Sequence, residues 1–192
     1  MTCNRSDRDR AWNVRLLIIG TLAIWSFVVD VGRAQDAQLA RGKYLVTLGG
    51  CTDCHTPGHF LGKPDMTRFL GGSDVGFAIP GLGTFVGRNL TPDKETGLGM
   101  WTQDQIAAAF TTGIRPDGRV LAPVMPWAAY ARLTKADALA IAAYLQSLAP
   151  VRREIPGPFG PNETVSVYVM EVLPADMHNN QLQHSTTGSP AQ

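Results

Sequence analysis

Apolar positions recur at helical spacing in three stretches of this chain beyond residue 35. In the first, Leu39, Gly42 and Val46 share one face, Asp36 stands where an N-cap belongs and Gly49-Gly50 where a helix ends. That pattern predicts a helix from about Asp36 to Leu48. The second opens at Trp101-Thr102-Gln103-Asp104-Gln105-Ile106, with Thr102 as N-cap, Gln105 completing a capping box and Trp101 placed to staple against Ile106. It is predicted to run to about Thr112 and to stop at Gly113. The third begins at Thr134, where Asp137 makes a weaker box, and carries Ala138, Ile141, Leu145 and Leu148 on one face until Pro150. Residues 56–99 are rich in Gly, Pro and Asp without a long periodic run, and read as loops that need something to pack against. After Pro150 the chain is Pro- and Gly-rich to residue 164, Val165–Val169 alternates like a short strand, and the polar residues after Pro174 read as a disordered tail.

Ahead of these elements, Arg5, Arg8, Arg10 and Arg15 precede an apolar-rich run from Leu16 to Val29, followed by Gly32-Arg33-Ala34. Basic residues, an apolar stretch and small residues at the sites a signal peptidase inspects make residues 1–34 a secretory signal cleaved after Ala34, which places the mature chain in the periplasm. The run is shorter than the roughly 20 residues that cross a bilayer, so membrane association is expected only if the segment is retained. Residues 35–150 then form one domain and 151–192 an extension. Without residues 1–34 there are 12 Lys+Arg (17 less 5) against 13 Asp+Glu (16 less 3). That balance, with no basic stripe, argues against a nucleic-acid partner.

Cys51-Thr52-Asp53-Cys54-His55 carries the chemistry. Two thiols three positions apart with a histidine after the second form a C-x-x-C-H haem-attachment site: each thiol adds across one vinyl group, and His55 becomes the proximal iron ligand. A thioredoxin-like pair would need a βαβ framework, which the flanking sequence lacks. A zinc site would need four ligands, yet the remaining candidates are Cys3, His59, His178 and His184, with no second paired cluster. A structural disulfide, or two unconnected cysteines, is the third alternative.

A haem with one histidine either takes a sixth ligand and transfers electrons or keeps an open face for chemistry. Met125, in Ala122-Pro123-Val124-Met125-Pro126-Trp127, lies 70 residues after His55 between the second and third helices. Pro126 pushes it towards extended backbone and Pro123 stiffens the approach, so a restrained loop presents the thioether. Met66, Met100, Met170 and Met177 lack flanking prolines, and Met100 is next in line. A gap-filling role in the core is the alternative for Met125. His59, four residues after His55, is poorly placed to reach the opposite face. The apolar run Val120–Trp127 reads equally as haem-packing core or as a docking patch.

In order, the haem motif, Gly71-Gly72, Asn89-Leu90-Thr91-Pro92-Asp93, Thr96-Gly97, Trp101-Thr102, Arg115-Pro116-Asp117-Gly118, Met125-Pro126 and Leu133-Thr134 to Ala143-Tyr144-Leu145 make residues 36–150 resemble a class I cytochrome c domain. The chain is similar in detail to the cytochrome subunits of bacterial periplasmic alcohol- and aldehyde-type dehydrogenases. The resemblance implies a small all-α fold, three or more helices with long loops wrapped around one covalent haem c, in which the first and last helices cross with Gly42 facing Tyr144 and Leu145. It also implies that Arg88, Asn89 and Trp101 lie near the haem edge, within reach of the propionates. Such dehydrogenase cytochromes often carry three domains and a membrane-binding helix, whereas one domain is read here.

The resulting expectation is a monohaem electron carrier, with no side chain doing acid or base work. Its donor would be a periplasmic dehydrogenase and its acceptor a terminal oxidase or another cytochrome. A fixed subunit of a dehydrogenase complex, with the residues past Pro150 as a docking arm, is the alternative. A five-coordinate haem enzyme or sensor is a third possibility, and it requires an unbound Met125.

Overall fold

A computed structural model describes residues 32–180; the expected signal segment lies, but for its last three residues, outside the described residues. Helix α1 spans residues 32–48, starting ahead of the expected Asp36 cap because Arg33, Ala34 and Gln35 are good helix formers and Asp36 simply continues the turn. It ends at the double glycine: the Gly49 amide bonds the Leu45 carbonyl at 2.8 Å and Gly50 takes φ +64°. Helix α2 (Cys51–His55) follows at once, so the haem motif is itself helical.

Helix α3 (Gln103–Thr112) has the anticipated capping box, with the Gln105 amide on Thr102 Oγ1 at 3.2 Å and the Thr102 amide on Gln105 Oε1 at 2.9 Å. Gly113 closes it at φ +76°. A short helix, α4 (Trp127–Tyr130), precedes α5 (Lys135–Ser147). At α5 the Asp137 amide reaches Thr134 Oγ1 at 3.1 Å, but the Asp137 carboxylate turns to Arg41 Nε at 2.8 Å, joining α5 to α1 instead of closing its own box. The two helices cross where a Cβ on Gly42 would lie 2.0 Å from the Ala140 carbonyl oxygen and 2.7 Å from Tyr144 Cβ, so only glycine permits this approach. Leu45, Val46, Leu70, Ile106, Ile141, Ala142 and Leu145 form the core between α1, α3 and α5.

The all-α expectation needs correction. Inside the segment read as loops, β1 (Val75–Ile79) and β2 (Gly83–Val86) pair antiparallel, and β3 (Tyr168–Glu171) pairs parallel with β1, giving the order β2-β1-β3. The strands have four or five residues with glycines inside them, too short and too mixed to show periodicity. Pro80-Gly81 makes the hairpin turn, with Gly81 at φ +76° and the Leu82 amide on Ile79 O at 3.0 Å. Strand β3 begins three residues later than the alternation suggested, its register set by pairing with Val75–Ala78.

Residues 150–160 run along the domain as a strap. The Val151 carbonyl accepts from Asn89 Nδ2 at 2.6 Å, the Arg153 guanidinium donates to Gly72 O at 2.5 Å, Ile155 is buried, and Phe159 exchanges two backbone bonds with Thr84. Residues 175–180 are helical where composition suggested a disordered tail; Pro174 provides a preset helix start, its carbonyl accepting from the His178 amide. Among the described residues no helix is long and apolar enough to cross a membrane.

Candidate haem site

The helices and the sheet enclose a cavity of about 610 Å³, within the range of cofactor pockets. Leu45 of α1, Ile106 and Phe110 of α3, and Ile141 and Leu145 of α5 give it apolar walls; Phe77, Phe85 and Val86 close it from the sheet. Cys51, Cys54 and His55 all line it, as do Met125 and Trp101.

His55 is buried, and its Nδ1 lies 2.7 Å from the Arg88 carbonyl oxygen. A carbonyl only accepts, so Nδ1 carries the proton and Nε2 keeps its lone pair on a ring that faces the cavity. Burial lowers the imidazole pKa, against the opposing effect of that carbonyl, and so favours the neutral, ligating form. This contact exists because residue 87 is glycine: a Cβ there would sit 1.7 Å from the Cys54 carbonyl oxygen and 3.4 Å from His55 Nδ1. The backbone of residues 87–88 therefore runs directly against α2.

Cys51 and Cys54 are free thiols. Burial pushes Cys51 up to about 11 and also raises Cys54, although Cys51 opens a helix, where thiolates are normally favoured. Thiols held protonated in an apolar wall do not suit disulfide exchange. Among the described residues no three His, Cys, Asp or Glu side chains gather as a metal site.

Met125 sits in a tight turn, its amide on Ala122 O at 3.0 Å and its carbonyl accepting from the Trp127 amide at 2.8 Å. Met100 also lines the cavity but is 71% exposed; Met66, Met170 and Met177 do not line it. His59 pairs with Asp53 at 3.3 Å and is absent from the cavity wall. In the apolar run beside Met125, Leu121 and Ala122 face the cavity, while Val120 and Val124 are also substantially exposed.

The three residues expected near the propionates have different surroundings. The Arg88 guanidinium donates to the carbonyls of Ile155 and Gly157 in the strap. Asn89 is 2% exposed, with Nδ2 on Val151 O and Thr96 Oγ1 and Oδ1 accepting from the Thr91 amide and hydroxyl. Its polar atoms are thus committed to holding loop and strap together. Trp101 keeps its indole on the cavity wall, with the Arg115 guanidinium 5.3 Å over the ring. Arg115 and Arg119 also line the cavity. They carry no periodic signal, and their only mark in the sequence is the Arg115-Pro116-Asp117-Gly118 turn ten residues ahead of Met125.

The donor set matches a haem c: two thiols for thioether bonds, an imidazole of fixed tautomer, a thioether on the same cavity, and apolar walls for the macrocycle. Comparison with known proteins agrees. A family model described as Cytochrome c matches residues 39–149. The chain is 36% identical over 140 residues to the gluconate 2-dehydrogenase cytochrome c subunit of Pantoea cypripedii, covering 72% of this chain and 29% of that protein. It is 33% identical over 139 residues to the cytochrome c subunit of the quinone alcohol dehydrogenase of Gluconobacter oxydans (strain 621H), covering 72% and 27%. To the fructose dehydrogenase cytochrome subunit of Gluconobacter japonicus it is 34% identical over 142 residues, covering 70% and 27%. The matched region thus spans less than a third of each of these relatives.

Proposed function

The chain belongs to the cytochrome c family, and from that premise we propose that it is a periplasmic monohaem carrier taking single electrons from a dehydrogenase and passing them towards an oxidase or another cytochrome. Family membership implies a covalently bound haem c, and the sequence contains a single C-x-x-C-H. When bound, the haem supplies a one-electron Fe(III)/Fe(II) couple. Cys51 and Cys54 would anchor it, His55 would ligate the iron through Nε2, and Met125 would provide the other protein donor. The observation that carries this reading is the His55 Nδ1 bond to Arg88 O, which fixes the tautomer on a cavity that Met125 also lines. With His55 and Met125 both holding the iron, no open site would be left for a substrate, which supports an electron carrier over an enzyme. A soft thioether favours Fe(II) and raises the potential, as an acceptor of dehydrogenase electrons requires.

A second reading, a fixed subunit of a dehydrogenase complex, draws on the names of the relatives, which are subunits of gluconate, alcohol and fructose dehydrogenases. Gel filtration of the native periplasmic protein separates the two, since a carrier elutes alone and a fixed subunit elutes with its enzyme.

Mass spectrometry of the exported protein should show one haem that survives acid–acetone extraction and a mature chain beginning near Gln35. Met125→Ala should lower the reduction potential and allow carbon monoxide or cyanide to bind quickly. Wild-type spectra and potential in that variant would transfer the ligand role to another residue, with Met100 first. Sugars, alcohols and aldehydes fed to a periplasmic extract would show which substrate's oxidation reduces the haem.

A further inference from the structure

We propose that Arg115 and Arg119 form a clamp for the haem's propionate carboxylates, with Arg115 Nε as its innermost donor. The inference rests on the haem reading above and names residues which that reading leaves without a role. Arg115 Nε is buried and has no hydrogen-bond partner among the described residues. A buried guanidinium donor without an acceptor is costly, and the rest of this guanidinium is already fixed. Its Nη2 pairs with Asp117 at 3.1 Å and its plane lies over Trp101, so Nε is the donor left over beside the cavity.

The surrounding charges agree. Arg88, Lys94, Arg115 and Arg119 line the cavity against a single carboxylate, Glu95, and that one is drawn to Arg152 at 2.6 Å. Arg119 and Arg115 each lie close enough to Arg88 to depress its pKa, after the larger effect of its own burial. The Arg88 side chain is committed to the strap carbonyls, which leaves Arg119, the Nε of Arg115 and, on the same wall, Lys94 to take an anion. The other groups on the wall bring no negative charge: the Cys51 and Cys54 sulfurs would be neutral thioethers once the haem is attached, His55 is an imidazole, and burial holds the Tyr130 phenol protonated. An apolar cavity with this cationic excess suits a planar cofactor carrying two carboxylates.

The test is the reduction potential of the haem-loaded protein as a function of pH, for wild type, Arg115→Gln, Arg119→Gln and Arg115→Lys, with the exposed Arg132→Gln as control. A cation beside a carboxylate keeps it ionised, so removing it should move the pH-linked fall in potential upward by about one pH unit or more. It should also lower the potential on the alkaline side of that step. Arg115→Lys should restore the charge effect in part and Arg132→Gln should change neither quantity. A merely structural arginine would lower the urea midpoint without moving the step. If Arg115→Gln fails to take up haem, the exposed Arg119 gives the same measurement in a variant that folds. An unshifted step in the loaded Gln variants overturns the clamp while leaving the haem reading intact. A wild-type protein without covalent haem sinks both.

Discussion

Replacing Gly87 with alanine tests whether the His55 tautomer depends on one close backbone approach. The added Cβ would lie 1.7 Å from the Cys54 carbonyl oxygen and 2.8 Å from its carbon, where real contacts essentially never fall under 3.0 Å. Backbone is the obstacle on both sides, so no side-chain rotation relieves it, and the 86–88 segment must retreat by roughly 1.3 Å to reach 3.0 Å. Two bonds hold that segment in place: the Ser73 amide to Gly87 O at 2.8 Å, and His55 Nδ1 to Arg88 O at 2.7 Å. Stretched by that amount, both exceed hydrogen-bonding distance and leave buried groups unpaired, at a cost of about 1–3 kcal/mol each. The sum, about 2–6 kcal/mol, is a large part of the ~5–15 kcal/mol that holds a domain together.

Urea unfolding of the loaded protein is the assay. Gly87→Ala should lower the midpoint with little change in slope, and covalent haem loading should fall because Nε2 is no longer held towards the cavity. Gly160→Ala is the control, since its Cβ would meet nothing nearer than Glu163 at 3.6 Å. A Gly87→Ala protein with the wild-type midpoint and full haem loading would refute the reasoning.

Two further outcomes are expected. Gly42→Val should separate α1 from α5, because even the first added carbon meets Ala140 O at 2.0 Å; a urea midpoint equal to wild type would show that the crossing tolerates bulk. Asp65 is held down to about 2, chiefly by the Thr67 hydroxyl and then by Arg68, so its contribution is present above the ordinary value of 3.8 and is lost as pH falls from there towards 2. The difference in midpoint between wild type and Asp65→Asn should be flat near neutrality and vanish across that acid window; a difference that persists at pH 2 would assign the effect to something other than the charge.

What the sequence makes legible here is what local chemistry decides. The capping box at Thr102 and Gln105, the stop at Gly113 and the crossing at Gly42 each depend on residues a few positions apart or on one missing side chain. The haem motif is a contiguous pentapeptide, so the chain alone identifies it. The sheet escapes because β1 and β2 are short and interrupted by glycine, and because β3 comes from about ninety residues further on. No local window holds the information that Val75 will pair with Tyr168. The partners of Arg88 and Asn89 escape for a related reason: the resemblance places both near the haem edge, while the strap that engages them lies beyond residue 150, where the resemblance ends.

Arg88 shows what that distant segment adds to the site. Its carbonyl orients His55, and its guanidinium is held by the Ile155 and Gly157 carbonyls of a strap that reaches the cavity through Pro158. One residue thus ties the ligand to a segment 67 to 69 residues later, and the strap continues into β3, all four of whose residues are exposed. The side chain can be removed while the carbonyl stays, so the two roles are separable in principle. Because the loop that carries both is pinned on one side by Gly87 against α2 and on the other by the strap, His55 is positioned by long-range packing as much as by its own motif. The C-x-x-C-H pentapeptide marks the candidate attachment site; the orientation of its imidazole is supplied by a glycine 32 residues on and a strap a hundred residues on.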